Sequence, residues 1–161
     1  MTAHEEVLSS MKEMAAKYSV GGRPLEMPPK SNQTLGTVYC EIDFGKTLTA
    51  EIEYDERFSN PTRVFQGGFL CAGFDEVFGP LSYMAAQRPV VTLDMGTAFV
   101  RPFRPSDGSA LFQAQVVAIT KSLVLMRAEA KAKSGKLLAT STNTSLILSD
   151  EQLQAFAPRR K

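Results

Sequence analysis

Histidine is almost missing from this 161-residue chain: His4 is the only one. A Ser-His-Asp or Cys-His apparatus needs an imidazole beside its nucleophile, and catalytic zinc sites usually take two or three. A lone imidazole at the start of a terminal helix suits neither. Chemistry here is expected to run on carboxylates, hydroxyls, amides and helix termini, with no metal and no cofactor. Cysteine is scarce too, and Cys40 and Cys71 are too few for a disulfide framework or a structural zinc site. Neither sign of charge is in excess, since 18 Lys+Arg face 17 Asp+Glu for a formal net charge of +1. A nucleic-acid partner would leave a basic footprint in those totals. No apolar run approaches the roughly 18 residues of a membrane span, and the first residues lack the basic, apolar, small-residue order of a signal peptide. A cytoplasmic protein with no nucleic-acid or membrane partner is expected. The length and a 43% hydrophobic content suit one domain over residues 1–161. Within it, 1–36 form a helix and linker and 149–161 a polar tail.

Periodicity lays out the elements. Val7, Leu8, Met11, Met14, Ala15 and Tyr18 recur at helical spacing over residues 2–18, and Thr2 with Glu5 makes a capping box. Gly21-Gly22, Pro24 and Pro28-Pro29 mark a connecting segment. Two alternating runs, 37–44 and 47–55, meet at Phe44-Gly45-Lys46 and predict a hairpin. Its apolar faces are Val38, Cys40, Ile42 and Phe44 on one strand, and Leu48, Ala50, Ile52 and Tyr54 on the other. Residues 66–87 are apolar around nearly the whole circumference, which predicts a buried helix. Gly79-Pro80 should kink or split that helix, because Pro80 cannot donate to the Glu76 carbonyl. Strands over 89–100, 109–120, 123–133 and 137–148 complete an antiparallel meander. The class is α+β, with one helix wrapped by a curved sheet.

The chemistry concentrates between Asn60 and Asp75. Gly67-Gly68 opens the buried helix, where free amides and the positive end of the helix dipole stabilise an anion or a developing oxyanion. The same glycines could instead serve close packing of helix on sheet. Asp75 and Glu76 are the only charges in the helix. A carboxylate there costs several kcal/mol (~2–5) unless paired, hydrated or functional. The structural alternative for Asp75 is a salt bridge to Arg88 or Arg101. Glu76 points about 100° away from Asp75 and reads as a structural partner.

Asn60, then Gln66-Gly67-Gly68 six residues on, then Asp75 nine residues beyond Gln66, resembles the marker of the hotdog-fold acyl-CoA thioesterases. The branch concerned holds the phenylacetyl-CoA and 4-hydroxybenzoyl-CoA thioesterases. The segment Leu93-Asp94-Met95-Gly96-Thr97-Ala98-Phe99 through Pro102 and Gly108 resembles a second family stretch. The strands joined at Ser134-Gly135-Lys136 resemble the closing hairpin, so the likeness runs from about Val38 to Leu148. It implies a hotdog fold, an acyl-CoA substrate, and a homodimer or a dimer of dimers. It also implies Asp75 as nucleophile or general base, Gly67 as carbonyl-polarising amide, Gln66 and Asn60 as orienting groups, and Thr92 as a hydroxyl that orients water. Gln66 departs from the family's histidine. An amide donates to a carbonyl but does not shuttle a proton, which leaves the chemistry to Asp75 and disfavours a hydroxyacyl dehydratase.

Helix geometry adds an expectation of its own. Nine residues advance roughly 900° and rise about 13.5 Å, so Gln66 and Asp75 face opposite sides of one helix. If both act on one thioester, they come from different chains across a two-fold axis. Gly68 would allow close approach of substrate, and Arg101 and Arg104 could hold coenzyme A phosphates or simply be solvated loop charges. Cys71, with no imidazole near, reads as packing. A non-catalytic module that binds acyl-CoA or a related ligand is the alternative to hydrolysis.

Overall fold

The structure is a computed structural model, and it describes residues 1–20, 23–24 and 26–155. Gly21-Gly22 and the basic end of the tail lie outside the described residues. Helix α1 (Ala3–Lys17) starts where the capping box was read: Thr2 Oγ1 accepts the Glu5 amide at 3.2 Å and the Glu5 carboxylate accepts the Thr2 amide at 2.8 Å. Its apolar stripe buries Val7, Met11 and Met14.

The connecting segment holds more than a loop. Strands β1 (Ser19–Val20) and β2 (Arg23–Pro24) pair, and helix α2 (Lys30–Leu35) follows, closed by Gly36 at a left-handed φ of 64°. Six residues are too few for a periodic signal, and three of them, Ser31, Asn32 and Thr34, are polar and only weakly helical. Tertiary burial of Asn32 and Leu35 supplies what propensity does not.

Strands β3 (Val38–Asp43), β4 (Thr47–Glu53), β5 (Val90–Phe99), β6 (Ser109–Ile119), β7 (Leu123–Ala132) and β8 (Leu137–Ile147) form one antiparallel sheet in the order β3-β4-β6-β7-β8-β5. Helix α3 (Gly67–Ala86) packs against five of these strands, so the sheet curves around it. This is the arrangement the resemblance implies. The inner face carries Leu48, Ala50 and Ile52 on β4, Phe112 and Ala114 on β6, and Val124 and Met126 on β7, all buried. Gly73 sets the closest approach of helix to sheet, since a Cβ there would sit 2.6 Å from the Phe112 ring.

Three expectations need correction. The face assigned to β3 holds only at Ile42, which packs against the core: Tyr39 is 2% exposed, whereas Val38, Cys40 and Phe44 face solvent. A bulge between Tyr39 and Glu41 shifts the register, and tyrosine's large apolar ring outweighs the simple alternation. Helix α3 runs unbroken through Gly79-Pro80. Pro80 does deprive the Glu76 carbonyl of its helical donor, but the Tyr39 hydroxyl donates to that oxygen at 3.3 Å. The tail is helical at its start, with α4 over Asp150–Ala155, tied back by an Arg88–Asp150 ion pair at 2.6 Å.

Candidate active site

The approach to α3 is built by Asn60. Its Oδ1 accepts from the Thr62 amide (3.0 Å), the Thr62 hydroxyl (2.7 Å) and the Val64 amide (3.2 Å), and Arg63 takes a left-handed φ of 57°. Asn60 therefore spends its carbonyl on its own loop and keeps only its Nδ2 for orientation. Phe65 then buries among Tyr54, Phe58, Phe69 and Phe103, which fixes the entry angle of the helix.

Gln66 is the N-cap, exposed, with no side-chain capping bond, so its amide is free to meet a ligand. Its carbonyl accepts from the amides of Phe69 (2.9 Å) and Leu70 (3.3 Å). The amides of Gly67 and Gly68 are left over, as helix geometry requires of the first turn. The two glycines differ. A Cβ on Gly67 would meet the Phe99 ring at 3.0 Å, while a Cβ on Gly68 would meet nothing within 4 Å. Close packing of helix on sheet, one of the two readings of this pair, therefore accounts for Gly67, which meets Phe99 of β5, and not for Gly68.

Asp75 is exposed on α3, on the side that meets Thr92 of β5. The salt-bridge alternative fails: Arg88 pairs with Asp150, and the Arg101 guanidinium donates to the Leu137 carbonyl at 3.2 Å. Among the described residues, no cation pairs with Asp75. Protein atoms packed around it strip water from part of the carboxyl and raise its pKa, and the Thr92 hydroxyl beside it lowers the pKa by a smaller amount. The structure thus brings Asp75 and Thr92 together. It does not bring Gln66 and Asp75 together, because α3 is continuous and they stand nine residues apart along it. Arg101 and Arg104 are exposed beyond the end of β5 and make no ion pair among the described residues. Cys71 is half-buried one turn before Asp75.

Sequence reasoning missed the polar floor beneath this face. Ser141, Asn143 and Ser145 alternate on the buried face of β8, opposite Thr97, Met95 and Thr92 of β5. Thr97 and Ser141 share a hydrogen bond at 3.0 Å, and Ser145 donates to Asn143 at 2.7 Å. The Asn143 amide nitrogen is buried and has no partner among the described residues. The signal was present as polar residues at three successive inward positions of β8, between the apolar Ala139 and Ile147. Two large exposed side chains on β5, Leu93 (58%) and Phe99 (56%), were also not singled out for their exposure.

The fold defines the class. The phenylacetic acid degradation operon protein PaaI of Escherichia coli superposes with a TM-score of 0.74 at 16% identity, over 92% of this chain and 97% of that one. The phenylacetic acid degradation-related protein of Ralstonia eutropha gives 0.69 at 26% identity, over 88% and 99%. A mutant phenylacetic acid degradation protein PaaI of Thermus thermophilus gives 0.68 at 24% identity, over 74% and 100%. No curated protein matches the chain. Residues 64–139 match the model of the thioesterase superfamily. The chain has the hotdog fold of these structures, and the stretch that matches the thioesterase superfamily model holds Gln66, Gly67, Gly68, Asp75, Thr92, Arg101 and Arg104. No described helix is long and apolar enough to cross a membrane.

Proposed function

We propose that this protein hydrolyses an acyl-CoA thioester at a site shared between two copies of the chain. The observation that carries the reading is Asp75. It is an exposed carboxylate in a largely apolar helix, without a counter-ion among the described residues and with a hydroxyl beside it. The Thr92 hydroxyl offsets only part of its desolvation, and no cation among the described residues offsets the rest, which is what a functional carboxylate looks like.

The half-turn between Gln66 and Asp75 supports drawing the two groups of one site from different protomers. Strand β5 is an edge of the sheet, and pairing it with its symmetry mate would cover Leu93 and Phe99. In such a dimer the free amide of Gly67, aided by Gln66 and the Asn60 amide nitrogen, polarises the thioester carbonyl. Gly68 leaves room for the chain of the substrate. Asp75 of the other protomer either attacks the carbonyl carbon or takes a proton from a water that attacks it, with Thr92 orienting that water. Collapse of the tetrahedral oxyanion breaks the C–S bond and expels the coenzyme A thiolate, a leaving group that requires no protonation. Where Asp75 is the nucleophile, water then cleaves the acyl–Asp75 anhydride, releasing the acid and restoring the carboxylate. Arg101 and Arg104 lie where two cations could meet coenzyme A phosphates. Residues 1–161 act as one domain in this reading, in the cytoplasm where acyl-CoA is found, as a dimer or a dimer of dimers.

The competing reading is a module that binds acyl-CoA without cleaving it. Gln66 is the observation on its side, an amide where the resemblance has a proton-moving imidazole. A panel of short, long and aromatic acyl-CoAs with thiol detection separates them. Thiol release that Asp75→Asn abolishes supports hydrolysis. Tight binding without release supports the binding module, and neither binding nor release on any member overturns both.

A further inference from the structure

Behind Asp75, on the covered side of α3, sits a buried polar cluster that the reaction does not use. Glu76 is 8% exposed, Asn32 4% and Tyr39 2%. Asn32 Nδ2 lies 3.2 Å from both the Glu76 carboxyl Oε2 and the Tyr39 hydroxyl oxygen. The Tyr39 hydroxyl in turn donates to the Glu76 main-chain carbonyl at 3.3 Å, the oxygen that Pro80 leaves without a helical donor. On the far side of the tyrosine, the His4 ring stacks at 5.5 Å between centroids and 27° between planes, and His4 Nδ1 accepts the Tyr39 amide at 3.1 Å. The titratable groups gathered here are Glu76, Tyr39, His4 and Asp75, and no cation pairs with Glu76 among the described residues.

The placement is specific. One proline in the middle of the central helix opens one carbonyl, and one hydroxyl from β3 closes it. Without that donor a buried carbonyl stands unsatisfied within a turn of the candidate catalytic carboxylate. Asp75 precedes Glu76 by a single residue, 1.5 Å along the axis and about 100° around it, so whatever fixes the Glu76 backbone fixes the root of Asp75. Every external contact in the cluster comes from residues 4 to 39, outside the 64–139 stretch that matches the superfamily.

We propose that His4, Asn32 and Tyr39 form a positioning device for Asp75, locking the helix at the Pro80 gap so that the carboxylate stays in register with Thr92 and with the substrate. None of the three touches substrate. They act through the backbone of α3, which gives the N-terminal segment a part in the chemistry as well as in the core. The inference rests on the thioesterase reading for its kinetic test only.

Tyr39→Phe is the sharpest probe, because it removes one hydroxyl and keeps the ring that packs. For acyl-CoA hydrolysis, kcat should fall about tenfold with KM little changed, the scale of one lost buried hydrogen bond acting on a positioned group. Independently of activity, carbon-detected NMR of the Asp75 carboxyl should show its titration moving upward as the Thr92 hydrogen bond loosens. Asn32→Ala should move both readouts the same way. Val124→Ala, a core truncation on β7, should lose stability without moving either. A folded Tyr39→Phe protein with the parental kcat and the parental Asp75 titration overturns the device. If the parent cleaves no acyl-CoA, the thioesterase reading has failed, and the Asp75 titration alone still decides the positioning claim.

Discussion

Strands β3 and β5 are the two edges of one sheet, but only β3 is covered by the chain itself. Helix α1 packs along β3, and His4 takes the Tyr39 amide. Strand β3 is also short, a common way of blunting an edge. Strand β5 has ten residues, no helix along its free edge among the described residues, and Leu93 and Phe99 open to solvent. An edge of that length and character is a template for another strand. The difference teaches where the site is completed: the covered edge holds the helix from behind, and the bare edge lies next to the groups that meet substrate.

The largest expected effect tests what the bare side presents. Asp75→Asn keeps shape and removes the charge, so acyl-CoA turnover should drop by orders of magnitude while the protein stays folded by circular dichroism. Next comes the contrast between edges. Leu93→Lys on β5 should convert the assembly to monomers in analytical ultracentrifugation and abolish activity. Val38→Lys on β3, a residue 51% exposed, should change neither. Equal behaviour of the two variants would dissolve the comparison. Gln66→Ala should cost about 1–3 kcal/mol in kcat/KM, since it deletes a hydrogen bond and no proton-transfer group.

The smallest effect is on stability. Glu76 and Asp75 both titrate above their ordinary values in the folded chain, each mainly because burial strips water from the charged form. Asp75 adds a further upward push on Glu76, against the lowering by Ser31 and Asn32. The folded chain therefore holds these protons more tightly than the unfolded chain. The stability they contribute is complete below the ordinary carboxylate range and is lost as pH rises through the raised values. Glu76→Gln should raise the thermal midpoint at neutral pH, and the gain should vanish in acid. A gain that grows in acid would contradict the assignment.

How much of this could be read from residues alone depended on the kind of interaction. Long elements with a clear period, such as α3 and β4, lie within two residues of where their patterns put them. The spacing of Asn60, Gln66-Gly67-Gly68 and Asp75 marked the candidate site for the same reason, because spacing within one loop and one helix is a local property. What failed was non-local. The inward turn of Tyr39 needed the bulge in β3, α2 needed the buried Glu76 to give Asn32 a partner, and α3 survived Pro80 only through a hydroxyl 41 positions earlier. The inward placement of Ser141, Asn143 and Ser145 likewise depended on how the sheet packs.

The central claim is that Gly67 of one chain and Asp75 of its partner serve one thioester. Asp75→Asn and Gly67→Val, the latter pressing a side chain into the Phe99 ring that already stands 3.0 Å from a Cβ there, should each be inactive as homodimers. Unfolded, mixed and refolded together, they should regain activity, because a mixed dimer puts both lesions in one site and leaves the other intact. With half the dimers mixed, recovery should approach about one quarter of the parental rate per subunit. No recovery, with mixed dimers confirmed by mass spectrometry, would contradict the shared site.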